Sequence, residues 1–255
     1  MDFVTVACSD IGIKKKVNQD SYCIKSARTC IGNILMAVIC DGMGGLAKGE
    51  VASASVVTRF SKWFDLELPK IVEDFSVEAV KQQWQKIVKE QNHKIKTYGE
   101  SLDINLGTTL TVLLIVDEYY AIIGHVGDSR AYKINSTVQI LTEDQTIVAR
   151  EMKENKLTAG EAELDPRRNI LLQCIGASKT VLPDYIVEGV EPNSIYMLCT
   201  DGFRHKITEE EIFEYFNPTA LTDEKSMKSN SDKLVELNKK RLENDNITVL
   251  LIKVV

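Results

Sequence analysis

Two β-rich runs, Thr109 to Val116 and Tyr119 to Val126, are separated only by Asp117 and Glu118. Two residues can turn a chain back between antiparallel strands, whereas parallel strands need a crossover of a dozen residues or more. That spacing fixes a stretch of antiparallel sheet. Ala131 to Ile134 and Val138 to Leu141, joined by Asn135, Ser136 and Thr137, extend it as a meander. Phe3 to Cys8, Ser21 to Ile24, Asn33 to Cys40, Ser194 to Cys199 and Ile247 to Val255 read as further strands. Two helical patterns lie among them. In Glu50 to Phe64, Ala52, Val56, Phe60 and Trp63 recur at helical spacing. In Ser76 to Tyr98, Val77, Val80, Trp84, Ile87, Gln91, Ile95 and Tyr98 do the same, with Ser76 at the N-cap. Strands and helices come in blocks, so the class is α+β with mainly antiparallel sheet.

Composition narrows the function. Lys plus Arg number 31 against 37 Asp plus Glu, a net charge of −6, which argues against a nucleic-acid partner because phosphate-backbone binding requires a basic surface. The longest apolar runs, such as Ile34 to Cys40 and Thr111 to Val116, fall far short of the ~20 residues a membrane helix needs. Asp2 and Asp10 sit where a signal peptide carries a basic start and an apolar run. The expectation is a cytoplasmic protein without membrane attachment. None of the six cysteines forms a Cys-x-x-Cys pair, so neither a zinc site nor a disulfide framework is expected, and Cys40 and Cys199 read as buried thiols. No repeat or linker divides the chain, and a single domain over residues 1–255 is expected. Thr219 to Lys233 reads as a polar surface loop and Gln145 to Asn169, poor in apolar anchors, as a mobile helical flap.

The chemistry lies in aspartates at strand ends. Apolar runs finish in Asp41-Gly42, Gly127-Asp128 and Asp201-Gly202; Asp245 stands just before the last strand, and Asp20 just before the second. A single such residue is ordinarily a turn former. Five at the mouths of strands would repel one another unless something positive lay between them. Oxygen-only ligands suit hard divalent cations, Mg²⁺ or Mn²⁺.

These residues sit in an ordered set of short motifs: Asn18-Gln19-Asp20, Asp41-Gly42-Met43-Gly44-Gly45, Gly49-Glu50, Gly107-Thr108-Thr109, Gly127-Asp128-Ser129-Arg130, Leu141 to Asp144, Asn169 to Gly176, Cys199 to Phe203 and Asp245-Asn246. In that order they resemble the bacterial branch of the metal-dependent type 2C serine/threonine protein phosphatases over nearly the full length. The resemblance implies a four-layer α/β/β/α sandwich with a two-metal site at one end, using Mn²⁺ or Mg²⁺. By matching positions, Asp41 would bridge both ions, with the Gly42 carbonyl on one of them. Asp201 and Asp245 would complete the first ion's protein ligands, Asp20 would approach the second largely through water, and Asp128 with Asp201 would take a third, weaker ion. Two such ions activate a shared water and neutralise phosphate oxygens. Phosphoprotein substrates, a cognate serine/threonine kinase and a monomeric state are implied with it.

The departures from the family pattern carry information. Where the family places an arginine to grip the substrate phosphate, this chain has Lys15 within Lys14-Lys15-Lys16, a point charge in place of a bidentate fork. The same run also reads as a solvated basic edge. Gln19 replaces a common glutamate, and Met43 stands where animal relatives carry a histidine proton donor. The other residues have plain readings. His125 is a satisfied core histidine, Trp63 and Trp84 are packing residues, and Arg130 either orients Asp128 or pairs at the surface. Gly42 to Ala47 also fits G-x-G-x-x-A, a dinucleotide fingerprint, but Asp41 beside the loop and the antiparallel meander after it oppose that reading. A catalytically inactive module that binds phosphoproteins is the alternative, and the retention of all five aspartates weighs against it.

Overall fold

The computed structural model describes residues 1–44 and 48–255. Gly45, Leu46 and Ala47, which end both the Asp41 motif and the dinucleotide fingerprint, lie outside the described residues. The strands are β1 (Phe3–Asp10), β2 (Asp20–Thr29), β3 (Gly32–Gly44), β4 (Leu106–Thr108), β5 (Leu110–Val116), β6 (Tyr120–Val126), β7 (Arg130–Ile134), β8 (Val138–Ile140), β9 (Asp184–Glu188), β10 (Ile195–Cys199) and β11 (Ile247–Val254). The helices are α1 (Gly49–Leu66), α2 (Val77–Leu102), α3 (Ile147–Lys153), α4 (Ala159–Leu164), α5 (Asp201–Arg204), α6 (Glu209–Phe216) and α7 (Glu224–Lys240).

Two sheets form, ordered β1-β11-β10-β7-β8 and β2-β3-β5-β6-β9, with β4 paired to β3, and all their strand pairs are antiparallel. The two-residue turn at Asp117-Glu118 sets the register from Val116 opposite Tyr120 to Leu110 opposite Val126. Side chains alternate across each strand. In β3, Ile34, Met36, Val38 and Cys40 pack in the core under α1 and α2, while Leu35, Ala37 and Ile39 face the core between the sheets. In β11, Val249 and Leu251 pack in the core with Met227 and Leu234 of α7, while Leu250 and Ile252 face inward. Three apolar interfaces, helix–sheet, sheet–sheet and sheet–helix, produce the four layers.

The predicted stripe of α1 is buried at Ala52, Val56, Phe60 and Trp63. That of α2 is buried at Val80, Trp84, Ile87, Gln91 and Ile95, and the Ser76 hydroxyl accepts the Ala79 N–H at the N-cap. The two stripes meet at Trp84, which stands edge-on to Trp63 (centroids 5.6 Å apart) and to Phe60 (5.9 Å).

One expectation needs correction. Thr219 to Lys233 is not a surface loop: from Glu224 onward it is the first part of α7, capped by Asp223, whose carboxylate accepts the Ser226 N–H at 2.7 Å. The buried face of this helix is Met227, Ser231, Leu234, Val235 and Asn238. Ser231 donates to the Met227 carbonyl and Asn238 to the Phe203 carbonyl, so the donors of both are paired inside the core, while Asn238 Oδ1 is left without a partner. The Gln145 to Asn169 segment is helical in part and has few buried apolar side chains, as its sequence implied. It carries α3 and α4, buries Val148 and Ala162, and is braced by Arg167, which pairs with both Glu151 and Asp165.

Candidate metal centre

Strand parity carries the polar residues to one end of the sandwich. Asp41 continues the inward series Leu35, Ala37, Ile39 of β3, and Asp20 lies directly opposite it on β2. Thr200 follows inward-facing Leu198 of β10, and Thr248 precedes inward-facing Leu250 of β11. The apolar core between the sheets therefore gives way to hydroxyls and then to carboxylates. Behind them His125 is fully buried, with Nδ1 3.0 Å from the Thr111 hydroxyl and Nε2 3.1 Å from the Glu143 carbonyl. Burial holds its pKa below the usual histidine value. It is the satisfied core histidine that its apolar strand implied.

Each aspartate is held by its own surroundings. The Asp20 Oδ2 accepts hydrogen bonds from Thr248 (2.6 Å) and Thr200 (3.0 Å), while its buried Oδ1 has no partner. The backbone of Asp41 is pinned on both sides: its N–H donates to the Thr109 hydroxyl, and its carbonyl accepts from the Thr108 hydroxyl and the Thr109 N–H. Gly42 is pressed against Gly49 at the start of α1, where a Cβ on Gly42 would lie 2.2 Å from the Gly49 carbonyl oxygen. Asp201 opens α5 and is nine-tenths buried; its Oδ1 also has no partner. Gly202 allows the loop before β11 to approach, because a Cβ there would meet the Asn246 carbonyl oxygen at 2.1 Å. That contact brings Asp245 beside Asp201. Asn246 in turn accepts the Gln19 N–H and donates to the Ile11 and Val17 carbonyls, tying this loop to the one that leads into Asp20.

The electrostatics show that the five form one cluster. Burial, followed by the fields of Asp20, Asp201, Asp128 and Asp245, raises the Asp41 carboxyl well above the usual range. Burial also pushes Asp20 up to about 7 against the two threonine hydrogen bonds. Burial and then Asp201 push Asp128 up to about 7, with Arg204 opposing. Among the described residues, no three Asp, Glu, His or Cys side chains are already drawn together as a finished ion cage. Two buried carboxylate oxygens without a donor, in an all-oxygen set whose members resist ionisation side by side, nonetheless fit a hard divalent cation.

The remaining sequence-predicted residues fall at the edge. Lys15 is within the cluster's reach but bound to it: Nζ lies 2.7 Å from Asp245 Oδ1. Desolvation lowers its pKa, but the Asp245 contact together with the fields of Asp245, Asp41 and Asp201 raises it on balance. Of the two readings of Arg130, pairing is the one found, with a partly buried partner and no direct contact to Asp128. Arg130 forms a bidentate pair with Asp144 (2.7 and 2.9 Å), and Arg204 donates to the same Asp144 and to the Asp128 carbonyl, both at 3.0 Å. Although burial opposes it, the two guanidiniums hold the Asp144 carboxyl below its ordinary range. The sequence reading gave no role to Asp144, Arg204, Thr200, Thr248, His205 or Glu243. The inward parity of Thr200 and Thr248 is visible from sequence once Asp41 is placed; the others depend on contacts between distant segments. Asp128 and Asp245 line a cavity of about 1390 Å³ whose far wall includes Val148, Met152 and Ala162 of the α3–α4 segment.

The profile of the protein phosphatase 2C family matches residues 13–237, most of the chain. The chain belongs to the protein phosphatase 2C family. The protein phosphatase PhpP of Streptococcus pneumoniae is 31% identical over 250 residues, covering 96% of this chain and 94% of its own. The S. agalactiae serine/threonine phosphatase superposes with a TM-score of 0.85 at 30% identity over the whole of both chains. The catalytic domain of the serine/threonine protein phosphatase PstP, solved in complex with two manganese ions, superposes with a TM-score of 0.77 at 26% identity, covering 99% of this chain and 98% of its own. The protein is thus a protein serine/threonine phosphatase whose family kinship points to metal dependence. The two-sheet sandwich is the family's architecture, and no parallel dinucleotide-binding sheet is present among the described residues. No helix among them is long and apolar enough to cross a membrane.

Proposed function

We propose that the carboxylate cluster holds Mn²⁺ or Mg²⁺ and hydrolyses phosphoserine and phosphothreonine in proteins by direct attack of water. The observation that carries this reading is the Asp41 carboxyl, raised by burial and then by the fields of four other aspartates, together with the partnerless Oδ1 atoms of Asp20 and Asp201. Asp41, Asp201 and Asp245 would hold the first ion, and the Gly42 carbonyl would serve one of the two ions that share Asp41. Asp41 would hold the second, which Asp20 would approach largely through water, and Asp128 with Asp201 a weaker third. Bound there, such ions lower the pKa of water and neutralise the oxygens of the phosphate.

The chain's own residues set the rest. Thr200 and Thr248 fix one oxygen of Asp20 and leave the other free. The Arg204–Asp144–Arg130 group fixes Asp128 through its backbone. In the reaction the bond from phosphorus to the serine or threonine oxygen breaks as the bond to the water oxygen forms. The products are the free hydroxyl and inorganic phosphate. Cys40 and Cys199 do not compete as nucleophiles, because both are fully buried and burial raises both thiols well above their usual range. Lys15, paired with Asp245 on the cavity wall, would meet the incoming phosphate. The α3–α4 segment overhangs the cavity and shapes substrate choice.

The proposed setting is a single-domain, monomeric phosphatase in the cytoplasm that opposes a serine/threonine kinase. The kinship and the six free cysteines support this. The test is release of inorganic phosphate from a phosphothreonine peptide with Mn²⁺. Turnover that is abolished by a chelator and by Asp201→Asn is expected. Peptide binding without turnover in metal-replete buffer would instead mark a phosphoprotein-binding module.

A further inference from the structure

Two polar residues that the hydrolysis does not use lie against the cluster and touch each other. Glu243 is buried in the turn between α7 and β11. Its Oε1 accepts the N–H groups of Asn244 (2.8 Å) and Asp245 (3.0 Å), and its Oε2 lies 3.6 Å from Nδ1 of His205. The other ring nitrogen of His205, Nε2, lies 3.6 Å from Asp201 Oδ2. One carboxylate therefore shapes the backbone that presents Asp245 and, through a single imidazole, faces the side chain of Asp201. The turn is held against its own preference: Leu242, next to Glu243, adopts φ +62°, a left-handed conformation that L side chains rarely take. The Glu243 N–H is anchored to the Asn238 carbonyl at the end of α7.

We infer that Glu243 and His205 are positioning residues, a brace that sets Asp201 and Asp245 at the separation a divalent cation requires. The free Oδ1 of Asp201, buried and without a donor, is the oxygen left to the ion when His205 occupies the side of Oδ2. Outer partners of this kind typically change metal affinity by about 10–100-fold. The inference rests on the metal-centre reading above and adds to it two residues of this chain that touch neither substrate nor ion.

The experiment is calorimetric titration of the chelator-treated full chain with Mn²⁺ alone. His205→Ala and Glu243→Gln are each expected to weaken Mn²⁺ binding by about 10-fold or more. Glu243→Gln keeps an oxygen for the two backbone N–H groups and removes only the charge facing His205. The double variant should bind no more weakly than the poorer single variant, because the pair acts as a unit. His205→Gln, which restores one N–H donor, should recover part of the loss. Thermal melting in chelator separates a merely structural role: a lowered melting temperature with unchanged Mn²⁺ affinity of the folded protein overturns the inference. So do additive losses in the double variant. Wild-type protein that binds Mn²⁺ while both variants bind it equally well overturns this inference alone, whereas a wild type that takes up no Mn²⁺ overturns the metal centre as well.

Discussion

In the metal-free protein the aspartate cluster should cost stability as the pH rises. Burial carries the Asp20 carboxyl from 3.8 to about 7. Below pH 4 it is protonated in the folded and unfolded chains alike, and its full contribution to stability is present. Between pH 4 and 7 the folded chain still holds a proton that the unfolded chain has released, so stability falls with rising pH and is lost by the time the folded group ionises. A gap of about three pH units at 1.36 kcal/mol each gives ~4 kcal/mol for Asp20. Asp128, also pushed up to about 7, acts in the same direction. The comparison that isolates the effect is wild type against Asp20→Asn, which keeps an oxygen for the Thr248 and Thr200 hydroxyls but cannot ionise. Urea unfolding in chelator, at half-unit steps from pH 4.5 to 8, should show Asp20→Asn gaining on wild type by ~3 kcal/mol across the range, the first ~1 kcal/mol having been lost below pH 4.5. Excess Mn²⁺ should raise the wild type at the alkaline end. A difference between the two proteins that stays flat with pH, or runs the other way, refutes the reasoning.

Further outcomes follow from particular contacts. Lys15→Ala should raise KM for a phosphopeptide more than it lowers kcat, and Lys15→Arg should lower KM. Because Lys15 and Asp245 are both partly exposed, folding stability should move by less than ~1 kcal/mol in either variant. Trp84→Ala removes the ring at the meeting point of α1 and α2 and should cost ~3–5 kcal/mol in chemical unfolding, whether or not Mn²⁺ is present. Asp223→Ala removes the cap of α7 and should cost ~1 kcal/mol; no change would mean the cap is not what starts that helix.

Much of this architecture is legible in the chain because its strands are long and regular. The Asp117-Glu118 connection settles the direction of β5 and β6, and the alternation in β3 both builds the apolar core between the sheets and aims Asp41 at its end. What the sequence hides has physical causes. The α7 stripe contains Ser231 and Asn238, whose side-chain donors bond to the Met227 and Phe203 carbonyls inside the core; a hydropathy pattern registers them only as polar. Strand β9, the short run Asp184–Glu188 just after Pro183, has too few residues to display a period and takes its place by pairing with β6. The five aspartates stand out because each ends or begins an apolar run. Glu243, His205, Arg204 and Asp144 carry no such mark, since their partners lie up to 76 residues away or across a turn.

The measurement closest to the central claim is a crystal soaked in Mn²⁺ and recorded at the manganese absorption edge. The account predicts anomalous peaks at the mouth of the sandwich, within about 2.0–2.2 Å of carboxylate oxygens of Asp41 and Asp201. Peaks confined to other parts of the surface, or none in crystals of protein that is active with Mn²⁺ in solution, would contradict it.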